Sequence, residues 1–113
     1  MQVTAESYGP AVILNIKGEL TDDSLVAFKQ SVDHHLGNSQ VVDLILNMQQ
    51  VPFVDSAALE CLLDLQDKLS ERLGQVKLIN CDANVTKILE ITDLTDKFEI
   101  IRDINDAIKS IRV

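Results

Sequence analysis

The stretch from Asn47 to Leu63, NMQQVPFVDSAALECLL, decides how this chain reads. Its first residues close an apolar run, VVDLILNM (41–48), short enough for a central buried strand. In QQVPFVD (49–55), Pro52 forbids regular central strand throughout, because proline cannot donate to a ladder. Asp55 and Ser56 then stand at the mouth of the most apolar helical pattern in the chain, SAALECLLDLQDKLSERLG (56–74). Ala58, Leu62, Leu65, Leu69 and Leu73 recur on one helix face, Leu59 and Leu63 widen it, and Gly74 is placed to end it. Asp55 or Ser56 is expected to cap the helix with a side-chain oxygen. No Glu or Gln follows three residues after Ser56 to complete a capping box.

The same alternation extends in both directions. VTAESYG (3–9) alternates weakly, as an edge strand does, and AVILNIKG (11–18) is a strong β run. Thr21, Asp22 and Asp23 offer caps to a helix carrying Leu25, Phe28, Val32 and Leu36, with Gly37 as its stop. Downstream, VKLIN (76–80) is a short strand. Asp82 or Asn84 caps a helix holding Val85, Ile88 and Leu89 and reaching toward Leu94. KFEIIRD (97–103) is a last strand, and INDAIKSIRV (104–113) a terminal amphipathic helix with Ile104, Ala107, Ile108 and Ile111 on one face. The order ββαβαβαβα predicts an α/β fold: a mixed, largely parallel sheet of about five strands with about four helices. Residues 1–113 read as one domain, in line with roughly 100–200 residues per domain.

Composition narrows the function classes. Eighteen acidic against ten basic residues give a net charge of −8, and Lys and Arg are scattered singly. There is no basic stripe to neutralise phosphates, so neither nucleic acid nor an anionic membrane surface is an expected partner. No apolar run approaches the ~18 residues of a membrane span, and MQVTAESYGP has neither a basic nor an apolar signal region. Cys61 and Cys81 form no CxxC or metal-ligand spacing and read as small, reduced core hydrophobes of a cytoplasmic protein.

No phosphate-cradling or nucleophile-elbow motif occurs. His34 and His35 are neighbours near a helix end, where cations suit the helix dipole; adjacent helical residues diverge too much to share a metal, and Asp33 does not change this. Asp64, Asp67 and Glu71, interspersed with Lys68 and Arg72, read as a solvated helix face. Without a nucleophile–base pair or a metal set, an enzyme is not expected, nor is a cofactor. Lacking ligand clusters and having its own aliphatic core, the protein is expected to be a metal-free monomer or weak dimer.

The central stretch resembles the STAS domain family, the module of bacterial anti-sigma factor antagonists. The family pattern runs roughly DLSxVxFxDSSGL; here NMQQVPFVDSAAL (47–59) places Val51, Phe53, Asp55, Ser56 and Leu59 in register. GEL (18–20) resembles the family's GE[IL]D, VTKILEITDLTDKFEI (85–100) its VxxxLxxTGLxxxFxI, and INDAIKSI (104–111) its terminal helix, so the likeness spans essentially the whole chain. The resemblance implies that Ser56 is a phosphoacceptor and that Asp55 orients its hydroxyl. It implies partners too: an anti-sigma factor that is a serine kinase, and a serine phosphatase that reverses the modification. The implied docking residues are Phe53, Asp55, Ser56, Ala57 and Ala58, with Asn47 at the strand end and Thr21 after GEL. Departures lie at Asn47 in place of Asp, Ala57-Ala58 in place of SerGly, Thr21 in place of Asp, and TDL in place of TGL. They keep open the alternative of a STAS binding subunit without a phospho-switch, as in lipid-transport ATPases or signalling assemblies.

Overall fold

The computed structural model describes residues 1–101 and 104–109. Five strands form one sheet in the order β1 (Gln2–Tyr8), β2 (Ala11–Lys17), β3 (Asp43–Gln50), β4 (Val76–Ile79) and β5 (Glu99–Ile101). β1 runs antiparallel to β2 through a tight turn in which Gly9 adopts a positive φ of 59°, and the remaining pairs are parallel. Helices α1 (Leu25–Leu36), α2 (Ser56–Ser70) and α3 (Ala83–Ile91) connect the parallel strands, and α4 (Ile104–Lys109) follows β5. Short 3-10 turns at Asp22–Ser24 and Thr95–Lys97, which periodicity did not reveal, precede α1 and β5.

Strand order follows chain order from β2 to β5, so each right-handed crossover lays its helix on the same side of the sheet. That side holds the main core. Val12, Leu14, Ile16, Leu44, Leu46, Met48 and Leu78 project from the strands onto Phe28 and Val32 of α1, Leu62 and Leu69 of α2, and Val85 and Leu89 of α3. The intervening strand residues form a smaller cluster on the opposite side, where Ala11, Ile13, Ile45 and Ile79 meet Tyr8, Ile101 and Ile108 of α4. Of the expected α4 stripe, Ile108 packs as predicted; the side chains of Ile104 and Ala107, and Ile111 altogether, lie outside the described residues.

Burial follows the predicted pattern along α1 (Leu25, Phe28, Val32, Leu36) and most of α2 (Ala58, Leu59, Cys61, Leu62, Leu65, Leu69). Leu73 is a correction: it is 84% exposed and lies beyond the helix, with a positive φ of 62°. The chain reverses there because the Gly74 N–H returns to the Leu69 carbonyl at 2.8 Å. Gly74 itself is pressed against the Val42 backbone, where a Cβ would collide with the Val42 carbonyl. Glycine is therefore demanded by close approach at position 74, while Leu73 occupies the left-handed position that glycine usually takes.

Arg72 is a second correction. It does not belong to a solvated face: its guanidinium donates to the carbonyls of Leu36 (2.8 Å), Val41 (2.9 Å) and Asn38 (3.3 Å). It thus satisfies acceptors left over at the end of α1 and in the loop beyond. Gly37 ends α1 without the left-handed twist, at φ −60°. His34 and His35 sit in the last turn of α1 with their rings edge to face, centroids 5.0 Å apart. Two charged residues are buried in the sheet: Asp43 accepts from the Gln75 N–H at 2.9 Å, and Lys77 lies 3.7 Å from Glu99 on the adjoining strand. Among the described residues, no helix is long and apolar enough to cross a membrane.

The packing sets two expectations for chemical denaturation. Leu62→Ala, in the centre of the α2 stripe, should cost about 2–5 kcal/mol, whereas exposed Asp64→Ala should change stability little. Gly74→Ala should cost about 1–3 kcal/mol by forcing α2 and the start of β3 apart, while Leu73→Gly should cost nothing.

Candidate functional site

Asp55 is the N-cap of α2. Its backbone is extended (φ −100°, ψ −179°), which turns the side chain back over the first helical turn. One carboxylate oxygen accepts from the Ala58 N–H at 2.9 Å. The other accepts from the Asp22 N–H, also at 2.9 Å, across 33 residues of sequence. Backbone bonds reinforce this clasp. Leu20 N–H donates to the Phe53 carbonyl (3.0 Å), Asp55 N–H donates to the Leu20 carbonyl (3.2 Å), and Leu20 forms a parallel bridge with Val54. The loop after β2 and the loop after β3 are therefore one surface. The donated N–H groups of Ala58 first, then of Asp22, hold the Asp55 carboxyl below its ordinary value of 3.8.

Ser56 is the first residue of α2 and is exposed. Phe53, 44% exposed, and Pro52 flank it on the loop side, and Ala57 is half-buried. Val54 turns inward at 2% exposure and anchors the loop to the core. Thr21 begins the 3-10 turn ahead of α1; its N–H donates to the Ser24 hydroxyl (3.0 Å), which donates on to the Glu19 carbonyl (2.9 Å). Thr21 thus lies next to the Asp22 N–H that Asp55 engages. Asp22, Asp23 and Glu60 are exposed around the clasp, so the setting of Ser56 is acidic.

Two of the expected docking residues are not part of this surface. Ala58 is 0% exposed, with its Cβ in the main core, and contributes only its N–H to Asp55. Asn47 points to the other side of the sheet, sharing parity with Ile45 rather than with Leu46 and Met48. There its amide nitrogen donates to Asn15 (2.8 Å), and its oxygen accepts from the Gln49 N–H (3.2 Å) and from Asn80 (3.4 Å). It lines a polar cleft of about 270 Å³ with Asn15, Lys17 and Gln49. The structure thus brings Thr21, Phe53, Asp55, Ser56 and Ala57 together and sets Asn47 and Ala58 apart. Sequence reasoning missed Asp22 as the owner of the second N–H in the clasp.

Neither cysteine is poised for chemistry. Burial pushes the Cys61 thiol up, and burial followed by neighbouring Asp82 pushes Cys81 up to about 11. Both are free thiols.

The clasp has a pH signature. A carboxyl whose folded pKa is depressed contributes stability that is present above its unfolded value and is lost as pH falls through the folded one. Stability should therefore decline below about pH 4 in part through Asp55. Asp55→Asn should flatten that part of the profile and speed hydrogen exchange at the Asp22 and Ala58 amides, which NMR at stepped pH would read.

Comparison with known proteins follows the same lines. A model of the STAS domain family matches residues 2–107. A STAS-domain-containing protein of Pseudomonas aeruginosa is 34% identical over 56 residues; that match takes in half of this chain and 55%, about half, of the relative's own length. Among solved structures, TM1081 of Thermotoga maritima, assigned to the anti-sigma factor antagonists, superposes with a TM-score of 0.88 at 22% identity, over 98% of this chain and 95% of its own. SpoIIAA of Bacillus, an anti-sigma factor antagonist solved in unphosphorylated and phosphorylated forms, superposes in the latter with a TM-score of 0.74 at 19% identity, over 98% of this chain and all of its own. At such identities the two structures speak for the fold. With the family match over nearly its whole length, the chain belongs to the STAS domain family.

Proposed function

We propose that this protein is an anti-sigma factor antagonist: it binds an anti-sigma factor serine kinase, is released when that partner phosphorylates Ser56, and is reset by a serine phosphatase. The observation that carries this reading is the presentation of Ser56. It is exposed at the first position of α2, on a loop fixed by the Asp55 clasp and beside an exposed phenylalanine. That arrangement suits both halves of a switch. A kinase can reach the hydroxyl, and the helix N-terminus tolerates the phosphate that results, so the fold survives modification. The likeness to a protein solved in both phosphorylation states supports the same reading. Nothing in it requires catalysis by this chain: its role is to bind and to be modified. The small size and charge of the domain fit a cytoplasmic protein, and residues 1–113 serve as a single functional unit.

The energetics favour release. Phosphate adds about −1.5 to −2 charge. Against a net −8 the effect on the whole-molecule field is small, so discrimination is local. A partner surface shaped for a neutral hydroxyl among Phe53, Pro52 and Ala57 must desolvate a dianion already set among Asp22, Asp23 and Glu60. Without a cationic partner this costs at least ~3 kcal/mol, a weakening on the order of 100-fold. The helix dipole offsets only ~0.3–1 kcal/mol and acts in the free protein as well.

Incubation with the cognate kinase and ATP, with phosphate mapping and calorimetric binding, tests the switch. Ser56→Ala should stay bound and resist modification, and Ser56→Asp should keep its fold and lose roughly 100-fold in affinity. Phosphate on Ser56→Ala, or unchanged binding by Ser56→Asp, would leave only the plain binding-subunit reading.

A further inference from the structure

We infer that a second copy of this chain adds to the outer edge of β1, giving a weak two-fold dimer with one continuous sheet. β1 and β5 are the two edges of the sheet. β5 is only three residues long and carries Glu99. β1 is seven residues long, pairs with β2 in an unbroken register from Gln2 to Tyr8, and among the described residues nothing pairs with its outer side. Natural sheets guard such an edge with lysine, proline, a bulge or short length. QVTAESY contains no lysine, arginine, proline or bulge. Its one charge, Glu6, is drawn inward over β2 by Asn15, whose amide donates to it at 3.1 Å.

The strand is also self-complementary. With the two-fold axis through Ala5, Ala5 faces Ala5 of the second copy, Thr4 faces Glu6 and Val3 faces Ser7. No like charges oppose one another across the seam, and the smallest side chain sits at the axis. In this arrangement the faces of the two sheets are continuous, with α1–α3 of both copies on one side. The strand directions are opposed, so the two Ser56 surfaces lie at opposite ends and both stay open; the inference is independent of the switch. Seven paired residues bury far less than a stable interface requires, so the Kd should be on the order of 0.1–1 mM. The net charge of −8 on each copy opposes association, so added salt should strengthen it.

Sedimentation equilibrium from about 20 μM to about 2 mM tests this. The apparent mass should rise from 12.5 kDa toward twice that value, more so at higher salt. Ala5→Lys and Ala5→Glu, both at an exposed site, should each weaken association at least about tenfold, and their equimolar mixture should restore it. Wild-type protein that stays at monomer mass overturns the proposal, as does association of Ala5→Lys equal to wild type or a mixture that fails to associate. Should either variant fold poorly by circular dichroism, concentration-dependent amide shifts of the wild type decide: shifts confined to Gln2–Tyr8 support the proposal, and their absence or appearance elsewhere refutes it.

Discussion

One carboxylate holds the Ser56 end of this molecule together. Asp55 accepts from Ala58 on its own helix and from Asp22 beyond β2, so it caps α2 and locks two loops with the same pair of oxygens. The two roles reinforce each other. The extended backbone that lets Asp55 cap the helix also sends its N–H to the Leu20 carbonyl, and Val54 can then bridge to Leu20. Around this point Ser56, Phe53 and Thr21 acquire fixed relative positions, although they come from segments more than thirty residues apart. In the proposed switch, such a surface would meet its partner without first ordering its loops, which lowers the entropy cost of association.

Much of the fold was legible because it is written in short periods. Short unbroken apolar runs mark β2 and β3, and the 3.6-residue repeat marks α1 through Leu25, Phe28, Val32 and Leu36. The caps could be narrowed to Asp55 or Ser56 and to Asp82 or Asn84 because capping depends on neighbours three residues away, and the structure gives Asp55 and Asp82. What escaped depends on distant backbone. Arg72 has the composition of a surface residue, and only the fold brings the carbonyls of Leu36 and Val41 within its reach. The second N–H of the Asp55 clasp belongs to a residue whose side chain gives no sign of it.

The two misplaced site residues are more instructive, because local periodicity already contained the answer. Ala58 stands in the same helical stripe as Leu62, Leu65 and Leu69, and one Cβ cannot face both the core and a partner. Asn47 has the parity of Ile45, which assigns it to the sheet side away from α2. A motif aligned by position alone treats all its members as one surface. A period of two or of 3.6 divides them, and only Phe53, Asp55, Ser56 and Ala57 remain together on the outside.

The monotonic order of the strands bears on how the protein is made. No strand waits for a later one to slot in between its neighbours, since each new strand pairs with the one just completed. The hydrogen bonds that join the two loops beside Ser56 run among residues from Gly18 to Ala58. On the ribosome, the residues of the Ser56 surface thus emerge before β4 and β5, and the later strands are added to an edge away from it.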